Sequence, residues 1–144
     1  MKKFLLIALS LVLALGMLTA CGERKQDEPE TDPATPPDLV GEWKQTNSDA
    51  EDAWQAATIS GGTIEVYWVS DNGETKALYW AGSFDAPTTA DEPYTWESVN
   101  DKEQTDMAIL ASGDDTKPFT YQDGVISYEV SAMGVTQTVK LEKQ

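Results

Sequence analysis

Histidine does not occur in this chain, and cysteine occurs once, at Cys21. Without histidine there is no Ser-His-Asp or Cys-His arrangement and no imidazole switch near neutral pH. A lone thiol makes no disulfide within the chain and no redox pair, and with no histidine it makes no His/Cys zinc site. The fold must therefore hold together by its core alone. Basic residues are scarce as well, 10 Lys and Arg against 25 Asp and Glu. That balance argues against nucleic acid and anionic membrane surfaces as partners, since both need Lys/Arg clusters. Carboxylate pairs, Lys and Tyr are what remains for catalysis. Among 25 acidic residues nothing singles out two held across a cleft, so no enzyme activity and no cofactor are expected. Asp71-Asn72-Gly73-Glu74 and Asp114-Asp115 lack the ligand spacing and closing glutamate of a calcium loop, and no metal site is expected.

Long hydrophobic runs are absent too. The apolar stretch Phe4 to Leu15 is shorter than the roughly 20 residues of a spanning helix. It follows Met1-Lys2-Lys3 and precedes Leu18-Thr19-Ala20-Cys21. Lysines, a short apolar core and small residues before a cleavage point read as a secretory signal peptide over residues 1–20. Leu18-Thr19-Ala20-Cys21 resembles the lipobox of bacterial lipoproteins. The resemblance implies that Cys21 is diacylated and becomes the new N-terminus, tethered to the extracytoplasmic face of the cell membrane by lipid alone. An ordinary signal peptide or an uncleaved helical anchor are the alternatives. Cleavage leaves 124 of the 144 residues, carrying all 25 acidic residues and every basic one but Lys2 and Lys3, a net charge of −17. That length suits one modest domain.

Residues 21–38 continue with four prolines, six acidic residues and no aliphatic residue larger than Ala34. Such a segment buries too little apolar surface to offset its ordering entropy, so it is expected to be a disordered tether reaching roughly 50 Å.

From Leu39 to Gln144 the chain is short β-rich runs between Gly, Asp, Asn and Pro. Strands are expected at 39–46, 63–70, 75–84, 94–99, 107–111, 118–122, 125–131 and 135–142, with 49–56 a helical turn capped by Ser48 or an irregular loop. Asn72-Gly73, Asp123-Gly124 and Met133-Gly134 supply the turns. No segment has sustained helical periodicity. The expected fold is all-β, a small antiparallel barrel or sandwich of about eight strands.

Gly41-Glu42-Trp43 looks like the Gly-x-Trp motif that opens lipocalins and related calycin barrels, and the layout around it is similar to small lipocalin-like bacterial lipoproteins. That resemblance implies a barrel with Trp43 plugging one end beside Gly41. In the central hairpin, a two-residue Asn72-Gly73 turn would pair residue i with 145 − i. Ile64, Val66, Trp68, Ala77, Tyr79 and Ala81 would then face the core, and Tyr67, Leu78 and Trp80 would form an outer aromatic patch, a candidate binding surface. Trp54, Trp68 and Tyr79 are an alternative lining for a ligand cavity. The expected function is a surface-anchored, non-catalytic binding or accessory module. The alternatives are a lipocalin-like carrier of a small apolar ligand and a structural envelope lipoprotein with a protein partner.

Overall fold

The computed structural model describes residues 34–144, and Cys21, the signal peptide and positions 22–33 of the expected tether lie outside them. Eight strands follow in order: β1 (Gly41–Gln45), β2 (Trp54–Ser60), β3 (Thr63–Ser70), β4 (Thr75–Ser83), β5 (Tyr94–Asn100), β6 (Thr116–Gln122), β7 (Val125–Ala132) and β8 (Val135–Lys143). One helical turn, α1 (Lys102–Thr105), sits between β5 and β6. Each strand pairs antiparallel with the next, and β8 pairs back on β1 through Trp43↔Lys143 and Gln45↔Leu141. The sheet is a closed barrel, and the sandwich alternative falls away.

This order gives the barrel two unlike ends. The chain enters β1 and leaves β8 at one of them, the entry end. The β1–β2, β3–β4, β5–β6 and β7–β8 connections gather at the other, the loop end. Residues tolerant of positive φ turn the chain where the sequence places them: Asn72 (56°), Asp123 (52°) with Gly124 (82°), and Met133 (53°) with Gly134 (78°).

Three expectations need correction. The segment 49–56 is not helical; Ser48 Oγ donates to the Ala53 carbonyl, closing a loop, and Trp54 to Ala56 already belong to β2. Residues 107–111 are not a strand but part of a looped connection after α1. The Asn72-Gly73 connection is four residues long, Asp71 to Glu74, closed by the Ser70↔Thr75 pair.

That longer turn keeps the expected register from Ser70↔Thr75 to Tyr67↔Leu78, but a bulge at Tyr79 then shifts it by one, so Val66 faces Trp80 and Ile64 faces Gly82. Trp80 therefore goes inside. Tyr79 and Trp80 are both core residues, while Ala81 lies opposite Glu65, buried at 1% exposure.

The middle of the barrel is filled by rings. Phe84 stacks on Trp96 at 5.0 Å, Trp96 on Phe119 at 5.4 Å, and Phe119 meets Tyr128 at 4.9 Å. Around them Ile64, Ile126 and Leu141 have no exposed surface. Each such side chain contributes about 1.5–3 kcal/mol on burial, in place of the disulfides the chain cannot make.

One seam is narrow. β4 and β5 share only Gly82↔Asn100 and Ser83↔Val99. Beyond it the edge of β4 is covered by the α1 connection: the amide of Asp101 donates to the Ala81 carbonyl and that of Ser112 to the Tyr79 carbonyl, both at 2.8 Å. An edge left bare would expose those carbonyls as a template for pairing.

Candidate functional site

The loop end carries the unusual surface. Asp101 starts α1 by accepting the Glu103 amide at 3.1 Å. Asn100 ties the two arms of the connection together: its Oδ1 accepts the Thr105 hydroxyl at 2.6 Å, and its Nδ2 donates to the Asp114 carbonyl at 2.6 Å. Lys102 Nζ donates to the Gly113 carbonyl at 3.0 Å and pairs with Asp115 at 3.2 Å. With both arms held, Met107-Ala108-Ile109-Leu110 is turned outward; Met107 is 83% exposed, Ile109 99% and Leu110 56%. These residues and Ala77 and Leu78 of β4 border an open hollow of about 540 Å³. Met133 and Val135, at the β7–β8 turn of the same end, are also exposed. Exposed single apolar residues are ordinary, but an apolar tetrapeptide presented on a braced loop is the kind of patch that marks an interaction surface.

Inside the mouth of that end lies a buried lysine. Lys117 is 5% exposed, opposite Ser98 on β5. Its Nζ is 3.4 Å from Asp114 Oδ2, and it stands over the rings of Tyr79 and Trp80 at 5.2 and 5.5 Å. The Ser112 hydroxyl first, and then the Lys117 ammonium, hold the Asp114 carboxyl below its usual range. Sequence reading missed Lys117, yet the signal was there: residues 117, 119 and 121 share one face of β6, and Phe119 and Tyr121 both belong to the interior.

The expected surface patch comes apart. Tyr67 and Leu78 are neighbours on the outer face, half-buried, whereas Trp80 has no exposed surface and donates its Nε1–H to Ser98 Oγ at 3.0 Å. Gly41 and Trp43 lie at the entry end. Gly41 has φ +135°, and a Cβ there would come within 2.9 Å of Lys143 Cε. Trp43 is 2% exposed, its Nε1 donating to the Leu39 carbonyl at 2.9 Å and its ring edge-on to Tyr121. Residues just before β1 are held as well, since Lys143 Nζ reaches Asp38 Oδ2 at 3.4 Å. Trp54 and Trp68 do line a hollow at the loop end, and Tyr79 meets Trp68 edge-on at 5.4 Å.

Tyr67 donates its hydroxyl to Glu65 Oε2 at 2.7 Å. Burial first, then that bond and the charges of Glu65 and Glu42, push its pKa up to about 12. Burial also raises Tyr94, and raises Tyr128 well above the usual value. A phenol kept protonated by the fold contributes stability that is complete below its unfolded pKa of about 10 and lost as pH climbs through the folded value. The barrel should therefore weaken from pH 10 to 12. Ultraviolet titration of Glu65→Gln should show one tyrosine ionising at lower pH than in wild type; an unchanged curve would show that Glu65 does not contribute to the shift.

No protein-family model matches this chain, and neither does any curated protein or solved structure.

Proposed function

We propose that this chain is a bacterial lipoprotein, anchored through Cys21 on the extracytoplasmic face of the membrane, whose lipocalin-like barrel is a non-catalytic module that docks another protein with its loop end. The reading rests above all on the exposure of Met107, Ile109 and Leu110 beside Leu78. Within the barrel, β1 begins at the end opposite the one that carries these residues. Gly41 and the buried Trp43 support the lipocalin-like comparison. The filled middle speaks against a large apolar cargo, which favours a docking or structural role over a carrier.

Charge narrows the partner. Asp101, Glu103, Asp106, Asp114 and Asp115 surround the apolar tetrapeptide in sequence, and the α1 connection offers only Lys102 among them. The complement is a protein surface with an apolar centre and a basic rim. A photoreactive residue placed at Ile109 in the native host should cross-link to a protein, while the same residue at Glu129 on the barrel wall should not. Cys21→Ser should move the chain to the aqueous phase of a detergent partition and abolish the product. Equal cross-linking from both positions, or none from Ile109, would remove the docking reading. An unchanged detergent partition would remove the anchor.

A further inference from the structure

The chain has four methionines. Met1 and Met17 precede Cys21, and the other two, Met107 and Met133, both stand at the loop end, 83% and 104% exposed. Among the described residues the core contains no methionine; Ile, Leu, Val and aromatic side chains fill it. That distribution is the reverse of the usual one. Methionine is among the residues most often buried, and its flexible thioether ordinarily fills irregular gaps inside a core. Leu or Ile would give a docking surface similar apolar area, as Ile109 and Leu110 do beside Met107. What the sulfur adds at position 107 is chemistry.

The thioether is also the most easily oxidised group that the barrel presents to solvent. The chain has no histidine, and its single cysteine is Cys21, the proposed lipid site. Indoles are the next most reactive groups, and Trp43, Trp80 and Trp96 are buried while Trp54 and Trp68 are half-buried. Glu103 and Asp106 stand exposed just before Met107, which holds anionic oxidants away and leaves neutral ones free to approach. Hypochlorous acid is a neutral two-electron oxidant. The sulfur lone pair takes its chlorine and hydroxide departs; water then adds to sulfur, and loss of chloride and two protons, one of which neutralises the hydroxide, leaves the sulfoxide. Sulfur gains one oxygen and is oxidised, and hypochlorous acid is reduced to chloride and a proton.

We propose that Met107 is an oxidation-controlled release point: its sulfoxide, formed by a neutral two-electron oxidant such as hypochlorous acid, undocks the partner of the Met107–Leu110 surface, and reduction restores docking. The inference rests on the docking reading of that surface. In the free chain the new oxygen meets solvent, so the barrel keeps its stability. In the docked state the same oxygen is pressed against apolar surface, where a polar group without a donor is strongly disfavoured. Met133 supplies the comparison, since it is fully exposed at the same end but lies outside the apolar tetrapeptide.

Docking is read through the cross-link from a photoreactive residue at Ile109, in membranes of the native host treated or not with hypochlorous acid. Peptide mapping should find Met107 and Met133 converted to sulfoxide before any indole is oxidised, with the thermal melt of the full chain unchanged. Oxidation before photolysis should lower the cross-link by about tenfold or more, and methionine sulfoxide reductases should restore it. Met107→Leu should dock and stay insensitive to the oxidant, whereas Met133→Leu should remain as sensitive as wild type. A cross-link that survives oxidation in wild type would overturn the proposal. One lost equally in Met107→Leu would overturn it too, by placing the sensitive group elsewhere on the chain or on the partner. So would a loss accompanied by a lowered melt, since the barrel itself would then have failed. Absence of the cross-link before any oxidant is added would remove the docking reading, and the switch with it.

Discussion

Trp43→Ala is expected to lower the stability of the barrel by about 3–5 kcal/mol, a large part of the 5–15 kcal/mol typical of such domains. Three losses combine. The indole, 2% exposed, leaves a cavity; its edge-on contact with Tyr121 at 6.3 Å goes; and the Leu39 carbonyl loses the donor 2.9 Å away. Trp43→Phe separates these losses, since it retains most of the volume but leaves that carbonyl without its indole donor, a penalty of about 1–3 kcal/mol. Trp54 provides the contrast. It is half-buried and makes its cation–π contact with Lys44 at 4.0 Å, so Trp54→Ala should lose only about 1 kcal/mol. Urea unfolding followed by circular dichroism measures all three. A Trp43→Ala midpoint within error of wild type would mean that the indole does not hold the entry end together.

Gly82→Ala should be the next most damaging change, although it adds a single methyl group. Gly82 sits on the narrow seam, opposite Asn100. A Cβ there would meet Ser98 Oγ, come within 2.6 Å of the Val99 carbonyl and within 2.9 Å of Trp80 Nε1. The methyl thus intrudes on the Trp80–Ser98 hydrogen bond and on the backbone of the facing strand together. Overpacking of this kind typically costs about 1–3 kcal/mol, and a seam of two residue pairs has little else to hold it. Gly61→Ala is the control: nothing lies within 4 Å of its Cβ, and its penalty comes only from φ +61°, about 1 kcal/mol. Thermal melts of both variants would test this. Equal shifts for the two would show that β5 moves aside freely.

The turns were the most legible part of this sequence, because Asn72, Asp123-Gly124 and Met133-Gly134 announce positive φ without help from tertiary structure. The strands they join, β3, β4, β7 and β8, follow within a residue or so. β2 was not legible. Gln55, Ala56 and Ala57 have little strand preference, and it is the pairing with β1 on one side and β3 on the other that makes them a strand. Residues 107–111 misled in the opposite sense. An apolar run normally seeks the core, but here the hydrogen bonds of Asn100 and Lys102 fix the arms of the loop and leave the run outside. Trp80 was misplaced because one extra residue at Tyr79 reverses which face follows it. The burial of Gln55 goes with a bond from the hydroxyl of Tyr128, 73 positions away in the chain, and no local pattern reports that.

Seven of the eight strand pairings join consecutive strands, and the eighth brings Trp43 to Lys143. A consecutive pairing closes a short loop and forms on the microsecond scale of isolated hairpins. Bringing β8 to β1 closes about ten times as many residues, which adds roughly 2 kcal/mol of closure entropy before any contact compensates it. The ring is thus expected to join last, with its hairpins already made. Until then β1 and β8 are both open edges, and this acidic chain, whose β8 carries Val135, Val139 and Leu141, depends on charge repulsion between molecules to find its own partner before a neighbour's.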